Sequence, residues 1–148
     1  MKRVVFFLII FFNLGSLKSE EIANSIEADK IEYLNLDGNI KAIGSVKIIQ
    51  NEYELNADEI SFNQKNNIIE GNGNITLKKI GGEKILASRI KLSSDLKDGI
   101  IENPTLQTSD GINISSAYAI RTNGNSLILK KGIFSPCKVC SNEKNKLS

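Results

Sequence analysis

A repeat of about thirty residues constrains the fold of this chain more than any other feature of its sequence. The stretch "ADKIEY" begins at Ala28, and it recurs as "ADEISF" from Ala57, as "ASRIKL" from Ala87 and more weakly as "AYAIRT" from Ala117. Successive alanines are 29, 30 and 30 residues apart. Self-similarity at such a period is typical of a protein that stacks copies of one supersecondary unit.

Each unit has the pattern of β-hairpins. An isoleucine and an apolar residue two places later lie on one face of a strand, and the turns "NLDGN", "NQKNN", "DLKDG" and "RTNGN" follow. Asp-Gly and Asn-Gly pairs favour tight hairpin turns. The pattern predicts an all-β protein with about three short antiparallel strands per unit, stacked into an elongated sandwich or jelly roll with one apolar face. Pro104 lies in a predicted strand, where we expect a bulge or an edge.

Twelve apolar residues occupy equivalent positions in the units, and their shared register predicts that they face one interior. The same pattern is produced by an open ligand groove and by an ordinary closed core, so periodicity alone leaves both interpretations open. The twelve positions are Ile31, Tyr33, Ile40, Val46, Ile48, Ile60, Phe62, Ile69, Ile75, Leu77, Ile90 and Leu92.

The N-terminus has the layout of a secretory signal peptide. Two cations precede an apolar run from Val4 to Phe12, which is about half the length that a membrane-spanning helix needs. The sequence therefore predicts a signal peptide at 1–19, one β domain at 20–140, a polar tail at 141–148, and export of the mature chain.

Composition argues against nucleic-acid binding and catalysis. The whole chain carries a net charge of +2, and removal of 1–19 leaves 16 basic against 17 acidic side chains, a net charge of −1. No basic surplus remains to neutralise phosphates. Histidine, the commonest general base and metal ligand, is absent from the sequence. We expect no enzymatic activity, no metal and no cofactor, and we interpret the acidic pairs near the strand starts as solvated charges.

Cys137 and Cys140 form a Cys-x-x-Cys motif and are the only cysteines. Such a motif serves as a redox pair, as half of a zinc site or in structural disulfides. Nothing nearby predicts the helix start that activates a redox cysteine, and the chain offers no further cysteine or histidine as a zinc ligand. Export favours disulfide chemistry. The location of the partner sulfurs is left open.

The mature sequence resembles a known family. The stretches "GSVKI", "ELNADEISF", "EGNGNITL", "SSDLKDGIIEN" and "RTNGNSLILKKGIFSPCKVC" are similar to the OstA-like family of N-terminal periplasmic domains of the lipopolysaccharide-assembly protein LptD. The similarity covers about residues 23–140, and the first two units are shared with the bridge protein LptA. The resemblance implies a V-shaped β-jelly roll, open on one side, whose twelve predicted inward residues line a groove for the acyl chains of lipopolysaccharide.

The resemblance also implies partners and a location. Members of the family lie in the periplasm, catalyse no reaction and stack through edge strands with LptA-like bridge proteins. Family members of the LptD type continue past the cysteine motif into an outer-membrane barrel, whose cysteines can be linked to positions such as Cys137 and Cys140. For this sequence the alternatives are a truncated gene, a barrel encoded separately, and a free-standing bridge module. A structural sandwich that binds proteins through its edges, and a redox protein, are the competing hypotheses.

Overall fold

The computed structural model describes residues 24–34 and 38–135, and these residues form one antiparallel sheet of twelve strands. Strand β3 follows β1 and β2 in the sheet, and the order then runs through β4, β5, β6, β7, β10 and β11, with β8, β9 and β12 continuing from β6. Within those residues, no helix has the length and hydropathy that a membrane span requires. The strands are β1 Ser25–Glu27, β2 Lys30–Leu34, β3 Asn39–Gln50, β4 Tyr53–Asn63, β5 Ile68–Lys79, β6 Lys84–Ser93, β7 Gly99–Glu102, β8 Thr105–Gln107, β9 Asn113–Ser115, β10 Tyr118–Thr122, β11 Ser126–Lys130 and β12 Ile133–Ser135.

The predicted all-β class and hairpin order are confirmed, but the prediction of three short strands per unit is wrong. In the middle of the chain each period contains two long strands of 10 to 12 residues, such as β4 and β5. Two of the repeated alanines, Ala57 and Ala87, lie inside strands β4 and β6, and the other two, Ala28 and Ala117, lie in the short gaps between β1 and β2 and between β9 and β10. The unit seen in the sequence therefore begins at a point halfway along a strand.

A line of irregularities crosses the sheet at that halfway point. The register shifts between Ile43 and Val46, and again at equivalent places where β4 pairs with β5 and β5 with β6. The last strands are interrupted along the same line, between β7 and β8, between β9 and β10 and between β11 and β12. Because bulges bend the strands that contain them, the sheet folds here into two half-sheets.

The two half-sheets are defined by their pairing across the strands. The first half-sheet consists of β2, residues 39–43, 59–63, 68–72 and 89–93, and then β7, β10 and β11. The second half-sheet consists of β1, residues 46–50, 53–57, 75–79 and 84–87, and then β8, β9 and β12.

In the first two units the aspartate that follows the repeated alanine stabilises the bend. Gly44 has a φ of 79°, and the carboxylate of Asp29 packs against it while the Asp29 N–H donates to the Gly44 carbonyl over 2.9 Å. In the next unit Gly73 has a φ of 74°, and the carboxylate of Asp58 packs against it. Glycine adopts such φ values without steric cost. The repeated Ala-Asp pair is therefore a signature of the bend.

The third unit builds the same bend with different residues. Ser88 replaces the aspartate, and its Oγ accepts a hydrogen bond from Asn103 Nδ2 over 2.9 Å. Asn103 has a φ of 49°, and Pro104 follows it in the gap between β7 and β8. The predicted irregularity at Pro104 is thus confirmed as an interruption of the strand at the bend.

Several sequence predictions lie outside the described residues. They are the signal peptide at 1–19, the tail at 141–148, and the chemistry of Cys137 and Cys140. The ends of the predicted domain at 20–140 also lie there, so its boundaries stay predictions.

Replacing Gly73 with alanine tests the bend. The new Cβ would collide with the Asp58 carboxylate at a φ that disfavours alanine, so we expect a loss of about 2–3 kcal/mol in the free energy of unfolding. Gly81→Ala is the matched control, because Gly81 has a φ of 73° but no atom within 4 Å of the added Cβ. It should cost only the conformational part, about 1 kcal/mol. Urea titration of both variants measures the difference, and equal losses would contradict the proposed role of the Asp58 contact.

Candidate functional site

The inner faces of the two half-sheets carry apolar rows that run across the strands. Residues paired in an antiparallel sheet point to the same side, so the register identifies each row. One row crosses the second half-sheet and two cross the first, with the last of these farthest from the bend. The first row is Ile26, Ile48, Leu55, Leu77, Ile85, Leu106, Ile114 and Phe134; the second is Ile31, Ala42, Ile60, Gly71, Ile90, Ile101, Ala119 and Leu129; the third is Tyr33, Ile40, Phe62, Ile69, Leu92, Gly99, Arg121 and Leu127.

Ten of the twelve predicted inward residues belong to these rows, and the other two, Val46 and Ile75, pair with Ala57 and Ala87 beside the bend. Eight of the twelve are buried, and Ile40 and Phe62 are half-buried. The buried residues are Val46, Ile48, Ile60, Ile69, Ile75, Leu77, Ile90 and Leu92.

Ile31 and Tyr33 are exposed, unlike the other ten predicted inward residues. Their partners Ala42 and Ile40 place them on the inner side, yet 49% and 57% of their surfaces are exposed. Both belong to β2, which pairs only with β3 among the described strands. An inward side chain on an edge strand has a neighbour on one side only, which explains the exposure. Their role in lipid binding stays a prediction.

Two interior residues that precede repeated alanines are not among the twelve predicted inward positions. Leu55 and Ile85 are fully buried, but they lie in the half of β4 or β6 before the bend. Alternation changes phase there, since Ala57 and Ile60 both face inward although they are three residues apart. The alternating set Tyr53, Leu55 and Ala57 was a signal that could have identified this half-strand.

The interior opens to solvent at the N-terminal end of the sheet. A cleft of about 340 Å³ lies there, and apolar residues of both half-sheets line it. Ile26 and Ile48 contribute from the second half-sheet, and Ile40, Phe62 and Ile69 contribute from the first. The volume is at the lower end of the range of sites for small ligands, about 300–1,000 Å³. We call this cleft the mouth.

Beyond the mouth, side chains fill the middle of the interior. Leu55, Ile60, Ile75 and Ile90 are each no more than 1% exposed. Gly71 lies between Ile60 and Ile90, and an added Cβ would come within 2.9 Å of both side chains. The middle is therefore a packed core in this conformation, whereas the mouth is open.

Polar groups join the half-sheets at their free ends, opposite the bend. The Tyr53 hydroxyl, on the second half-sheet, donates to the carbonyl of Gly124, in the turn between β10 and β11, over 3.0 Å. Arg121 donates to the same carbonyl from Nη2 over 2.8 Å and to the Leu96 carbonyl from Nε over 2.9 Å. Its guanidinium lies 5.0 Å from the centre of the Tyr53 ring, within the range of a cation–π interaction. We call this group the seam.

Burial governs the electrostatics of the seam. Arg121 is the one charged residue that is buried in the described part of the chain. Desolvation lowers its pKa, opposed mainly by the nearby Tyr53. Desolvation also raises the pKa of the Tyr53 hydroxyl, so the hydroxyl remains a neutral donor at physiological pH. The two carbonyl acceptors compensate Arg121 for the loss of water.

The outer faces carry ion pairs. Lys41 pairs with Glu59 at 3.0 Å and Lys91 with Glu70 at 2.8 Å, all on exposed or half-exposed side chains. Such surface pairs contribute little to stability. In residues 24–34 and 38–135, no cluster of three or more acidic, cysteine or histidine side chains is arranged to hold a metal.

The fold and the interior together define a class: an open β-jelly roll in which an apolar slot between two half-sheets reaches the surface. The chain belongs to the LptA/LptD N-terminal domain family of lipopolysaccharide transport proteins, whose model matches residues 25–126. It is thus a lipopolysaccharide-transport module, and the family resemblance of the sequence is confirmed. No curated protein sequence matches the chain.

A solved structure shows the same fold. LptH of Pseudomonas aeruginosa, described as the LptA homologous periplasmic component of the conserved lipopolysaccharide transport device, superposes with a TM-score of 0.65. The match covers 75% of this chain and 84% of that chain at 13% identity. The similarity confirms the predicted jelly-roll fold.

The turn that carries Leu96 generates a pH prediction. The hydrogen bond from Ser93 Oγ to Asp95 is the main cause that holds the Asp95 pKa below the ordinary value of 3.8. A carboxyl whose pKa is lower in the folded state stabilises the fold above its unfolded pKa, and this contribution is lost as the pH falls through the folded pKa. We expect the free energy of unfolding to decrease less steeply below about pH 4 in Asp95→Asn than in the unaltered protein. Denaturant titrations at several pH values measure the slopes, and identical slopes would refute the assignment.

Proposed function

We propose that this protein holds acyl chains of lipopolysaccharide between its two half-sheets and passes them along a periplasmic route, without catalysing a reaction. The observation that carries the proposal is the mouth, because five of its nine lining residues are large apolar side chains and these come from both inner faces. Each methylene group removed from water contributes about 0.8 kcal/mol, so a partly covered acyl chain gains several kcal/mol in such a cleft.

The location and partners follow from the family and from the signal peptide predicted at 1–19. We infer that the mature chain is periplasmic, as LptH of Pseudomonas aeruginosa is. We further propose that it works beside an LptA-like bridge protein and near the outer membrane, where a separately encoded barrel is a candidate acceptor. The net charge of −1 predicted for the mature chain argues against nucleic acid as a partner.

Photo-crosslinking tests the location of the lipid. A benzophenone residue at Phe62, in the mouth, should capture lipopolysaccharide, because its ring lies where an acyl chain would enter. The same residue at Glu59 is the matched control. Glu59 lies on the same strand, but its partners Ile43 and Asn72 place it on the outer face. Capture is measured by a mass shift of the protein band.

Two outcomes would oppose the proposal. Equal capture at Phe62 and Glu59 would indicate nonspecific association with the lipid. No capture at Phe62, in a variant shown to be folded, would favour the closed structural sandwich.

A structural module that binds partner proteins through sheet edges is the second candidate function. The filled middle of the interior favours it, since a closed core needs no ligand. Strands β1 and β2 pair only with β3 among the described strands, so they lie at an edge of the described sheet. Edge strands present unpaired backbone groups that can accept a strand of another protein. Edge pairing is also compatible with lipid transport.

Proline substitutions test the proposed edge pairing. Ser25→Pro or Glu27→Pro removes one N–H donor of β1, so crosslinking to an LptA-like partner should weaken if that N–H points outward. Glu27→Ala is the control, because it removes the side chain but keeps the donor. Undiminished crosslinking in both folded proline variants would exclude β1 as the docking strand.

A further inference from the structure

The seam suggests how access to the interior is controlled. We propose that the contact of Tyr53 with Arg121 and Gly124 is a latch: it holds the free ends of the half-sheets together and must open before an acyl chain enters the middle of the interior. This inference rests on the proposed function, since it takes an acyl chain as the ligand.

The seam holds the half-sheets together at a point away from the bend. Strands run continuously or pair through the bend, so the half-sheets cannot separate there. Away from the bend, in residues 24–34 and 38–135, the hydrogen bond of the Tyr53 hydroxyl to Gly124 is the only one that joins the half-sheets. A V that opens about its bend must therefore break this bond.

The packed side chains of the interior have to separate before an acyl chain can enter. An acyl chain needs space between Leu55 and Ile60 or their neighbours, and these side chains are fully buried. Contacts between apolar side chains are not directional, and contacts with an acyl chain can replace them. The acyl chain offers no hydrogen bond to replace those of Tyr53 and Gly124. The broken hydrogen bond at the seam is therefore the part of the free-energy cost of opening that the ligand does not offset.

The geometry of the seam distinguishes a fixed part from a movable part. Arg121 donates to Leu96 and Gly124, and all three residues belong to the first half-sheet and its turns. Gly124 has a φ of 72°, and an added Cβ would collide with the Tyr53 hydroxyl. Tyr53 alone crosses from the second half-sheet, so the loss of its hydroxyl should loosen the latch while its receptor stays formed.

Capture of lipid deep in the interior tests the latch. An aliphatic diazirine residue at Ile75 reports on the middle of the interior, and the benzophenone at Phe62 reports on the mouth. With purified lipopolysaccharide as the probe, Tyr53→Phe should increase capture at Ile75 about fivefold, the factor that corresponds to one neutral hydrogen bond. Arg121→Met should increase it at least as much. Capture at Phe62 should change by less than about twofold in these variants.

Matched controls come from the outer face. Tyr118→Phe removes a hydroxyl from an exposed tyrosine on β10, and Arg89→Met removes an exposed guanidinium on β6. Neither control should change capture at Ile75. Thermal unfolding of every variant verifies that the protein is folded at the assay temperature.

A reversible lock provides a test that does not depend on weakening the fold. Glu52→Cys and Asn125→Cys flank the contact, and a short disulfide-forming crosslinker joins them in a Cys137→Ser, Cys140→Ser background. The lock should abolish capture at Ile75 but not at Phe62, and reduction should restore it. Spin labels at the same two positions should give a broader distance distribution in Tyr53→Phe than in the background protein.

The outcomes separate the latch from the proposed function. Absence of capture at Phe62 in the otherwise unaltered protein would overturn the proposed function and, with it, the latch. Capture at Phe62, together with Ile75 capture that neither Tyr53→Phe nor the lock changes, would overturn the latch alone. If Arg121→Met does not fold, Tyr53→Phe and the lock still decide between these results.

Discussion

The bend in the strands is the constraint on which the rest of the structure depends. Without it, twelve antiparallel strands would form one open sheet with an apolar face in water. Gly44 and Gly73 adopt positive φ values at the bend, and the carboxylates of Asp29 and Asp58 pack against them. The apolar rows of the two half-sheets then cover one another. The hydrophobic effect drives this closure, while the bend residues decide where it occurs.

Small residues near the bend follow from the same geometry. Ala57 and Ala87 face inward beside the bend, and Gly71 and Ala119 lie in the row next to it. These small residues have large neighbours, because Ala57 pairs with Val46, Ala87 pairs with Ile75, and Gly71 lies between Ile60 and Ile90. An added Cβ at Gly71 would come within 2.9 Å of both isoleucines. The small residues near the bend therefore leave room for the large ones.

A transport module has to bind an apolar ligand without leaving a large apolar surface in water. This structure combines an exposed apolar mouth with a middle that its own side chains fill. In the proposed function, the packed middle keeps apolar surface out of water in the empty protein, and the mouth offers the acyl chain its first contact. Exchange of side-chain contacts for ligand contacts then needs a relative movement of the half-sheets. The seam lies where that movement would be largest, because it is farthest from the bend.

The sequence by itself determined the strand class, the period and the inward face. The spacing of Ile60 and Phe62, and the repeat of Ala-Asp, are local properties, and strand alternation and turn chemistry translate them directly into structure. The sequence did not reveal that the repeat begins at a bend, because a bulge changes the phase of alternation and hides Leu55. Only the tertiary structure decided that Tyr53 meets Arg121 and Gly124, since the hydrogen-bonded Tyr53 and Gly124 are 71 residues apart. It also decided which part of the apolar face is open, because exposure depends on neighbouring strands that no local pattern encodes.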